Sequence, residues 1–104
     1  MTKEEKKMIN DACISAWGVC KETIKKDGLP HIERLRTCQA HVEFYNDYIV
    51  LVSYSTPVAF IDDGGNLFDV LRLVYGYTAT SAQHIAKFKN DFSRYWSNSY
   101  CYKE

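Results

Sequence analysis

The sequence predicts one α+β domain over residues 1–104, with an N-terminal helix, a three- to four-stranded antiparallel meander, a C-terminal helix, and both helices on one face of the sheet. Two observations lead to this fold class. Residues 48–61 are nearly uncharged and rich in β-branched and aromatic side chains, which fit a pleated surface better than a helix. Apolar residues recur three and four positions apart toward both ends of the chain, which is typical of helices with one buried stripe.

The first helix is predicted to begin at Thr2, because Thr2 and Glu5 form a capping-box pattern. Its predicted buried stripe consists of Met8, Ile9, Ala12, Cys13, Ala16, Trp17, Cys20 and Ile24. We expect the helix to end near Asp27 and Gly28, with Gly28 in the left-handed conformation and Pro30 just beyond.

The segment that follows the helix allows two interpretations. Ile32, Leu35 and Cys38 would suit a short helical turn, but from Arg36 the apolar and polar residues alternate. We therefore expect a strand over residues 36–45. The pair at 46–47, Asn and Asp, then predicts a tight hairpin into the central run.

The central run contains Pro57, which cannot donate a hydrogen bond to a neighbouring strand. It therefore predicts a bulge, a bend or an edge position, within either one kinked strand or two shorter ones. Residues 62–66, with two aspartates and two glycines, are the strongest turn signal. This turn should join residues 58–61 and 67–74 as an antiparallel hairpin.

The second helix is predicted to begin at Thr80, which forms a capping box with Gln83. Its apolar stripe comprises Ile85, Phe88, Phe92 and Trp96, and residues 97–104 either fray or pack back through Tyr100 and Tyr102. Helices on one face would leave the other face of an apolar sheet uncovered. Either the helix ends wrap around that face, or it meets another molecule such as a second copy.

Composition excludes several classes of protein. Thirteen basic and thirteen acidic residues give no net charge, which argues against wholesale binding to nucleic-acid phosphates and against an acidic DNA mimic. No apolar run is long enough to span a membrane, and the charged first residues do not fit a secretory signal. We expect a protein of the bacterial cytoplasm whose four cysteines are thiols.

No pattern in the sequence predicts catalysis, a metal or a cofactor. There is no Cys-x-x-Cys spacing, no cysteine with an identifiable base, and Asp62 and Asp63 fit a hairpin better than a calcium loop. A polar cluster at the start of the second helix, Thr78, Thr80, Ser81 and His84, could bind an anion through helix-start donors. Simple capping explains the same residues and is the favoured interpretation.

Two segments carry a resemblance to a known group. Residues 53–59, Ser-Tyr-Ser-Thr-Pro-Val-Ala, and 77–85, Tyr-Thr-Ala-Thr-Ser-Ala-Gln-His-Ile, resemble a family of small uncharacterised proteins of bacteriophages and mobile elements of Gram-positive bacteria. That family has a Ser-Tyr-x-Thr-x-Val-Ala strand before a Tyr-Ser-x-Thr-Thr-x-x-His-Ile helix start. This chain departs from it at Thr78 and Ser81, hydroxyl for hydroxyl, and its first helix has no clear counterpart. The resemblance implies a phage accessory protein, a group that includes anti-CRISPRs.

The sequence thus leads to the hypothesis of a non-enzymatic protein that binds and inhibits a host protein, most specifically a defence-system nuclease or its complex. Surplus tyrosine supports this hypothesis, because aromatic anchors are common in interfaces. The predicted partner-binding residues are Tyr45, Tyr48, Tyr54, Tyr75, Tyr77 and His84.

Two alternatives from other classes remain. One is a single-strand nucleic-acid binder that stacks bases on sheet aromatics and uses Arg34, Arg36, Arg72 and Lys89 on phosphates. The other is a small nucleotide or anion binder, or a hydrolase, at residues 80–84. A homodimer through the uncovered sheet face is compatible with all three.

Overall fold

The computed structural model describes residues 2–36 and 39–104. In chain order the elements are α1 Lys3–Lys26, β1 His31–Arg34, β2 Ala40–Phe44, β3 Tyr48–Ser53, β4 Thr56–Asp62, β5 Asn66–Asp69, α2 Leu71–Val74, α3 Ala79–Asp91, a short 3₁₀ helix Ser93–Tyr95, and β6 Asn98–Cys101. Over these residues the strands form one sheet in the order β1-β2-β3-β4-β5-β6. The α+β class is confirmed, although the sheet has six strands rather than three or four.

The two additional strands lie at the sheet edges. All four residues of β1 are exposed, so β1 lacks the alternation that identifies a half-buried strand. β6 pairs with β5 in parallel, and the Tyr100 ring stacks on Phe68 with centroids 5.2 Å apart. Just beyond β6, the Lys103 N–H donates to Asn10 Oδ1 in α1 at 2.8 Å. Residues 97–104 therefore pack back, the second of the two predicted outcomes.

The two long helices lie on opposite faces of the sheet. Cys13 and Cys20 of α1 pack in one buried cluster with Val50, Val52, Phe60, Phe68 and Val70. Ile85 and Phe88 of α3 pack in another, with a set that includes Leu51, Ala59, Ile61 and Leu67. Residues 49–52 of β3 and 59–61 of β4 alternate between these clusters, as side chains of a strand must, whereas Val58 and Ala59, beside the irregularity in the β3–β4 pairing, both lie in the α3 cluster.

The prediction that both helices share one face is therefore wrong. The central run is apolar on both alternating sets, and each set needs its own cover. The uncovered face proposed for a partner or a second copy is absent from the described part of the fold, because α1 covers one side and α3 the other.

α1 begins as predicted, with Thr2 Oγ1 accepting a hydrogen bond from the Glu5 N–H at 3.1 Å. Its end differs. The helix stops at Lys26, and Asp27 follows in an extended conformation (φ −76°) without a left-handed glycine. Met8, a predicted core residue, is 72% exposed because α1 turns it away from the sheet.

The predicted strand over residues 36–45 is too long. Arg36 has a positive φ of 54° and lies in a turn, so regular pairing in β2 starts only at Ala40. Arg36 Nε and Nη2 donate to the two carboxylate oxygens of Asp91 at 2.8 and 2.6 Å, which ties this turn to the end of α3. Thr37 and Cys38, which the prediction included, lie outside the described residues.

The hairpin at residues 46–47 is confirmed, with the Tyr45 N–H donating to the Tyr48 carbonyl at 2.8 Å. The central run is two strands. Their pairing skips a residue beside Pro57, since Leu51 faces Ala59 and Val52 faces Pro57. The bulge predicted at Pro57 is therefore present.

The turn at residues 62–66 is confirmed and is organised by Asp62, whose Oδ1 accepts from the Gly64 and Asn66 N–H groups at 3.0 and 2.9 Å. The following strand is shorter than predicted, because the chain leaves the sheet after Asp69 and forms α2. α3 is capped by Thr78 rather than Thr80: Thr78 Oγ1 accepts from the Ser81 N–H at 3.1 Å.

Candidate functional site

Three buried polar side chains meet between β3 and α3. Ser53 is the last residue of β3, and its side chain lies on the α3 side because it shares the face of Leu51. Ser53 Oγ is 2.9 Å from Ser81 Oγ and 2.8 Å from His84 Nδ1. Ser53, Ser81 and His84 are each at most 3% exposed. They are called the Ser-Ser-His cluster below.

The cluster is compatible with neutral histidine. Burial lowers the pKa of His84 below its ordinary value, and the nearby positive charge of Lys87 acts in the same direction. When His84 carries its proton on Nε2, its Nδ1 accepts a hydrogen bond from the Ser53 hydroxyl. The cluster then fixes the first turns of α3 against the end of β3 by directional bonds.

A serine within hydrogen-bond distance of a histidine also resembles a nucleophile and its base. Here, however, Ser53 is 1% exposed, so a substrate has no route to its oxygen without an opening of the fold. Within residues 2–36 and 39–104, the hydrogen bonds of the cluster join its own members, and none of them brings a carboxylate to orient His84. The geometry suits fixation of α3 better than covalent catalysis.

Three exposed tyrosines lie at the same end of the molecule as the cluster. Tyr54, Tyr75 and Tyr77 are 54%, 54% and 56% exposed, and we call this region the tyrosine end. Tyr54 directly follows Ser53, and its ring lies 5.8 Å from the His84 ring. Tyr75 and Tyr77 lie in the segment between α2 and α3. Of the three rings, that of Tyr54 therefore lies directly against the buried cluster.

Tyr54 has a strained backbone. Its φ is 58°, in the left-handed region that a residue with a side chain adopts at a cost of about 1–2 kcal/mol. The Tyr54 N–H donates to the Gln39 carbonyl at 2.9 Å, which helps to hold this conformation. The two-residue turn between Ser53 and Thr56 requires this positive φ, and it holds the Tyr54 ring at the surface, where it is a candidate for contact with another molecule.

Tyr77 is paired with a cation. The Arg72 guanidinium of α2 lies 4.6 Å from the centre of the Tyr77 ring, a cation–π contact. Tyr77 and Arg72 line a small cleft with Ala82 of α3 and Lys103. Asp69 also lines this cleft, so the tyrosine end combines aromatic area with charges of both signs.

The other two predicted tyrosines lie elsewhere. Tyr45 and Tyr48 flank the β2–β3 hairpin at the opposite end of β3, and both are only partly exposed because they pack beside α1. The Tyr45 hydroxyl donates to Glu43 Oε1 at 2.9 Å, and burial together with this carboxylate raises the pKa of Tyr45 to about 12. The fold thus separates the six predicted residues into two groups.

The predicted anion-binding residues are either engaged in hydrogen bonds within the fold or separated from one another; they are Thr78, Thr80, Ser81 and His84. Thr78 and the Ser81 N–H satisfy each other as a cap, and the Ser81 hydroxyl bonds Ser53. His84 is buried below, whereas Thr80 is exposed. The described helix start therefore matches the capping interpretation.

Two of the thiols, those of Cys13 and Cys20, are placed for packing. Cys13 and Cys20 are fully buried, and burial raises their pKa values to about 11 and about 12. Cys38 lies outside the described residues. Over residues 2–36 and 39–104, no three histidine, cysteine or acidic side chains converge as metal ligands do. In the same ranges, no helix has the length and apolarity needed to cross a membrane.

Sequence reasoning missed two members of the site. Ser53 was noted only as part of a resemblance, yet a hydroxyl on an inward position of an otherwise apolar strand is itself a signal of a buried polar contact. Arg72 was considered only as a phosphate ligand. Its contact with Tyr77 depends on how α2 turns, which no local pattern indicates.

The fold and site define a small three-layer α+β protein with a rigidly supported aromatic surface at one end. A family model, that of the family of unknown function DUF8033, matches residues 23–102. The chain belongs to this family. The match begins in the last turns of α1 and extends to β6, so it includes both the Ser-Ser-His cluster and the tyrosine end. No curated protein and no solved structure matches the chain.

Proposed function

We propose that this protein binds another protein through the tyrosine end and has no catalytic role of its own. The observation that carries the proposal is Tyr54, which is more than half exposed despite a strained backbone and a buried support. Because more than half of Tyr54 is exposed, its side chain adds little buried area to the stability of the fold. The two-residue turn between β3 and β4 accounts for the positive φ of Tyr54, but not for a large ring that stays more than half exposed, and contact of that ring with a partner would account for it.

The composition of the tyrosine end supports a protein partner. Tyrosine and arginine are enriched among the residues that dominate binding energy in interfaces, and Tyr54, Tyr75, Tyr77 and Arg72 belong to these two types. Rigid support reduces the ordering cost of binding, because the Ser-Ser-His cluster already fixes the elements below.

The class of partner follows from the resemblance to phage and mobile-element proteins. We propose a host protein, most specifically a defence-system nuclease or its complex, which this protein inhibits by occupying its surface. The segments that carry the resemblance, residues 53–59 and 77–85, contribute Ser53, Tyr54, Tyr77, Ser81 and His84. The resemblance therefore concerns the same part of the molecule as the proposed interface.

A single-strand nucleic-acid partner is less well supported. The chain has no net charge, and the cations named for phosphate contact are dispersed. Arg36 binds Asp91 at the far end of α3, and Lys89 lies over Trp96. Only Arg72, of these three, accompanies the exposed tyrosines.

The proposal is tested by affinity capture from a bacterial lysate, with and without nuclease, followed by mass spectrometry and a binding measurement with the purified partner. We expect one stoichiometric, nuclease-resistant protein. Replacement of Tyr54, Tyr75 or Tyr77 by alanine should weaken its binding at least about 10-fold each, as loss of an interface anchor does.

Tyr95→Ala is the matched control. Tyr95 is 46% exposed and lines a groove with the β2–β3 hairpin, away from the tyrosine end. Its replacement should leave binding unchanged. Retention of nucleic acid alone, or a partner that is equally sensitive to Tyr95→Ala and to the three tyrosine-end variants, would refute the proposal. The inhibitory part is tested separately, by whether expression protects an infecting phage from an active defence system and whether the tyrosine-end variants lose that effect.

A further inference from the structure

The outward face of α1 carries apolar residues that no described element covers. Ile14 and Val19 are 47% and 56% exposed, and Gly18 lies between them. No heavy atom lies within 4 Å of the position that a Cβ on Gly18 would occupy. Together with Ser15 and Glu22, these residues line an open groove of about 720 Å³ along the helix. This surface is distinct from the tyrosine end.

Two opposite charges lie at equal distances on either side of Gly18, outside the groove itself, whose C-terminal half is lined by Glu22, Lys26 and Asp27. Asp11 lies seven positions before Gly18 and Lys25 seven positions after it. Seven residues make about two helical turns, or about 10 Å, so both charges lie on the same face as Gly18. Both side chains are exposed. Lys25 also lies 3.4 Å from Glu22 in a solvent-exposed pair, which leaves its ammonium accessible to a second carboxylate.

We propose that two copies of this chain pair through this face, with their α1 helices antiparallel and crossing at Gly18. In this arrangement Asp11 of each copy lies opposite Lys25 of the other, and the contact occurs twice by symmetry. A parallel arrangement would instead place Asp11 beside Asp11 and Lys25 beside Lys25. The pair of Asp11 and Lys25 therefore favours a second copy as the occupant and the antiparallel direction.

The apolar residues fit the same pairing. Ile14 and Val19 rise on either side of Gly18, and the absent side chain of Gly18 lets two helix backbones approach closely. Met8, which is 72% exposed, comes near the end of the other α1, where Leu29 is fully exposed. The pairing would thus cover four of the chain's large exposed apolar side chains.

The test is sedimentation equilibrium of the full chain over a range of concentrations. The contact is one helix against another, so we expect a reversible dimer with a dissociation constant of about 1 to 100 µM, which weakens as salt is added. Gly18→Leu should weaken the dimer at least about 10-fold because it blocks close approach. It should not unfold the monomer, since the site faces open space.

Charge exchange tests the direction of pairing. Asp11→Lys alone and Lys25→Asp alone should each weaken the dimer about 10-fold or more, and the double exchange should restore it. Asp63→Lys, which makes the same charge change in the exposed β4–β5 turn, is the control and should have no effect. A monomer at every concentration, or a dimer indifferent to Gly18→Leu and to the charge exchanges, would overturn the proposal. Partner capture through the tyrosine end is measured independently of these variants.

Discussion

The two faces of the sheet are packed in different ways. The α3 side contains the Ser-Ser-His cluster, whose hydrogen bonds have fixed directions. The α1 side is held by thiols and by a row of aromatic rings, with Trp17, Phe60, Phe68 and Tyr100 in successive contact at 5.7, 5.1 and 5.2 Å. The difference teaches that directional hydrogen bonds help to position α3, whereas α1 is held on the sheet by buried apolar area. The tyrosine end lies beside these directional hydrogen bonds, because the Tyr54 ring contacts His84.

The largest effect should come from breaking the aromatic row at Phe60. This residue is fully buried, and Phe60→Ala removes its contacts with Trp17, Tyr48 and Phe68. We expect a loss of about 3–5 kcal/mol in the free energy of unfolding, measured by urea denaturation. Phe88→Ala, the equally buried counterpart on the α3 side, should cost a similar amount. A loss below about 1 kcal/mol for Phe60→Ala would mean that the buried apolar area of the aromatic row does not hold α1 on the sheet.

A smaller effect is expected from Ser53→Ala, which leaves the Ser81 hydroxyl and His84 Nδ1 buried without their partner. The expected loss in the free energy of unfolding is about 1–3 kcal/mol. The double variant Ser53→Ala with Ser81→Ala should cost less than the sum of the single variants, because one unsatisfied group is removed with the other. Strict additivity in denaturation would contradict the cluster as a unit.

The smallest effect is a pH dependence carried by His84. Its pKa is lowered from 6.5 by burial and by Lys87, so the folded chain binds a proton less readily than the unfolded chain does. The stability contribution is complete above pH 6.5 and is lost as the pH falls through that value toward the lower pKa of the folded state.

The check is a comparison of thermal midpoints at about pH 7 and about pH 5, where histidine changes charge. His84→Asn keeps an acceptor near the position of Nδ1 but cannot take up a proton. The wild-type protein should lose more stability than this variant on acidification. Equal losses would show that groups other than His84 carry the pH dependence.

The sequence indicated those parts of the fold that depend on local chemistry. The Thr2 cap, the hairpin at 46–47, the bulge at Pro57 and the Asp62 turn each depend on residues within a few positions of one another. The side of the sheet on which a helix packs depends instead on residues that are far apart in the sequence. It follows from the apolar residues of β3 on both faces, which predict two covers, but local patterns do not say which helix provides which.

The candidate site was predictable to the same limited extent. Tyr54, Tyr75, Tyr77 and His84 were identified by residue type, and the fold brings them to one end. Tyr45 and Tyr48 were identified by the same reasoning, but they lie at the opposite end of β3. β1 and β6 escaped prediction because edge strands with exposed side chains carry no buried period.

The pairing of β6 with β5 bears on the order in which the fold can assemble. The strands β1 to β5 form a meander of neighbours, which needs only short loops to close. By contrast, β6 joins the sheet after two helices, and the contact of Lys103 with Asn10 closes a loop of 93 residues. During synthesis on the ribosome, the meander can therefore form early, while the outer strand and the start of α1 gain their mutual anchor only once the last residues of this segment have emerged.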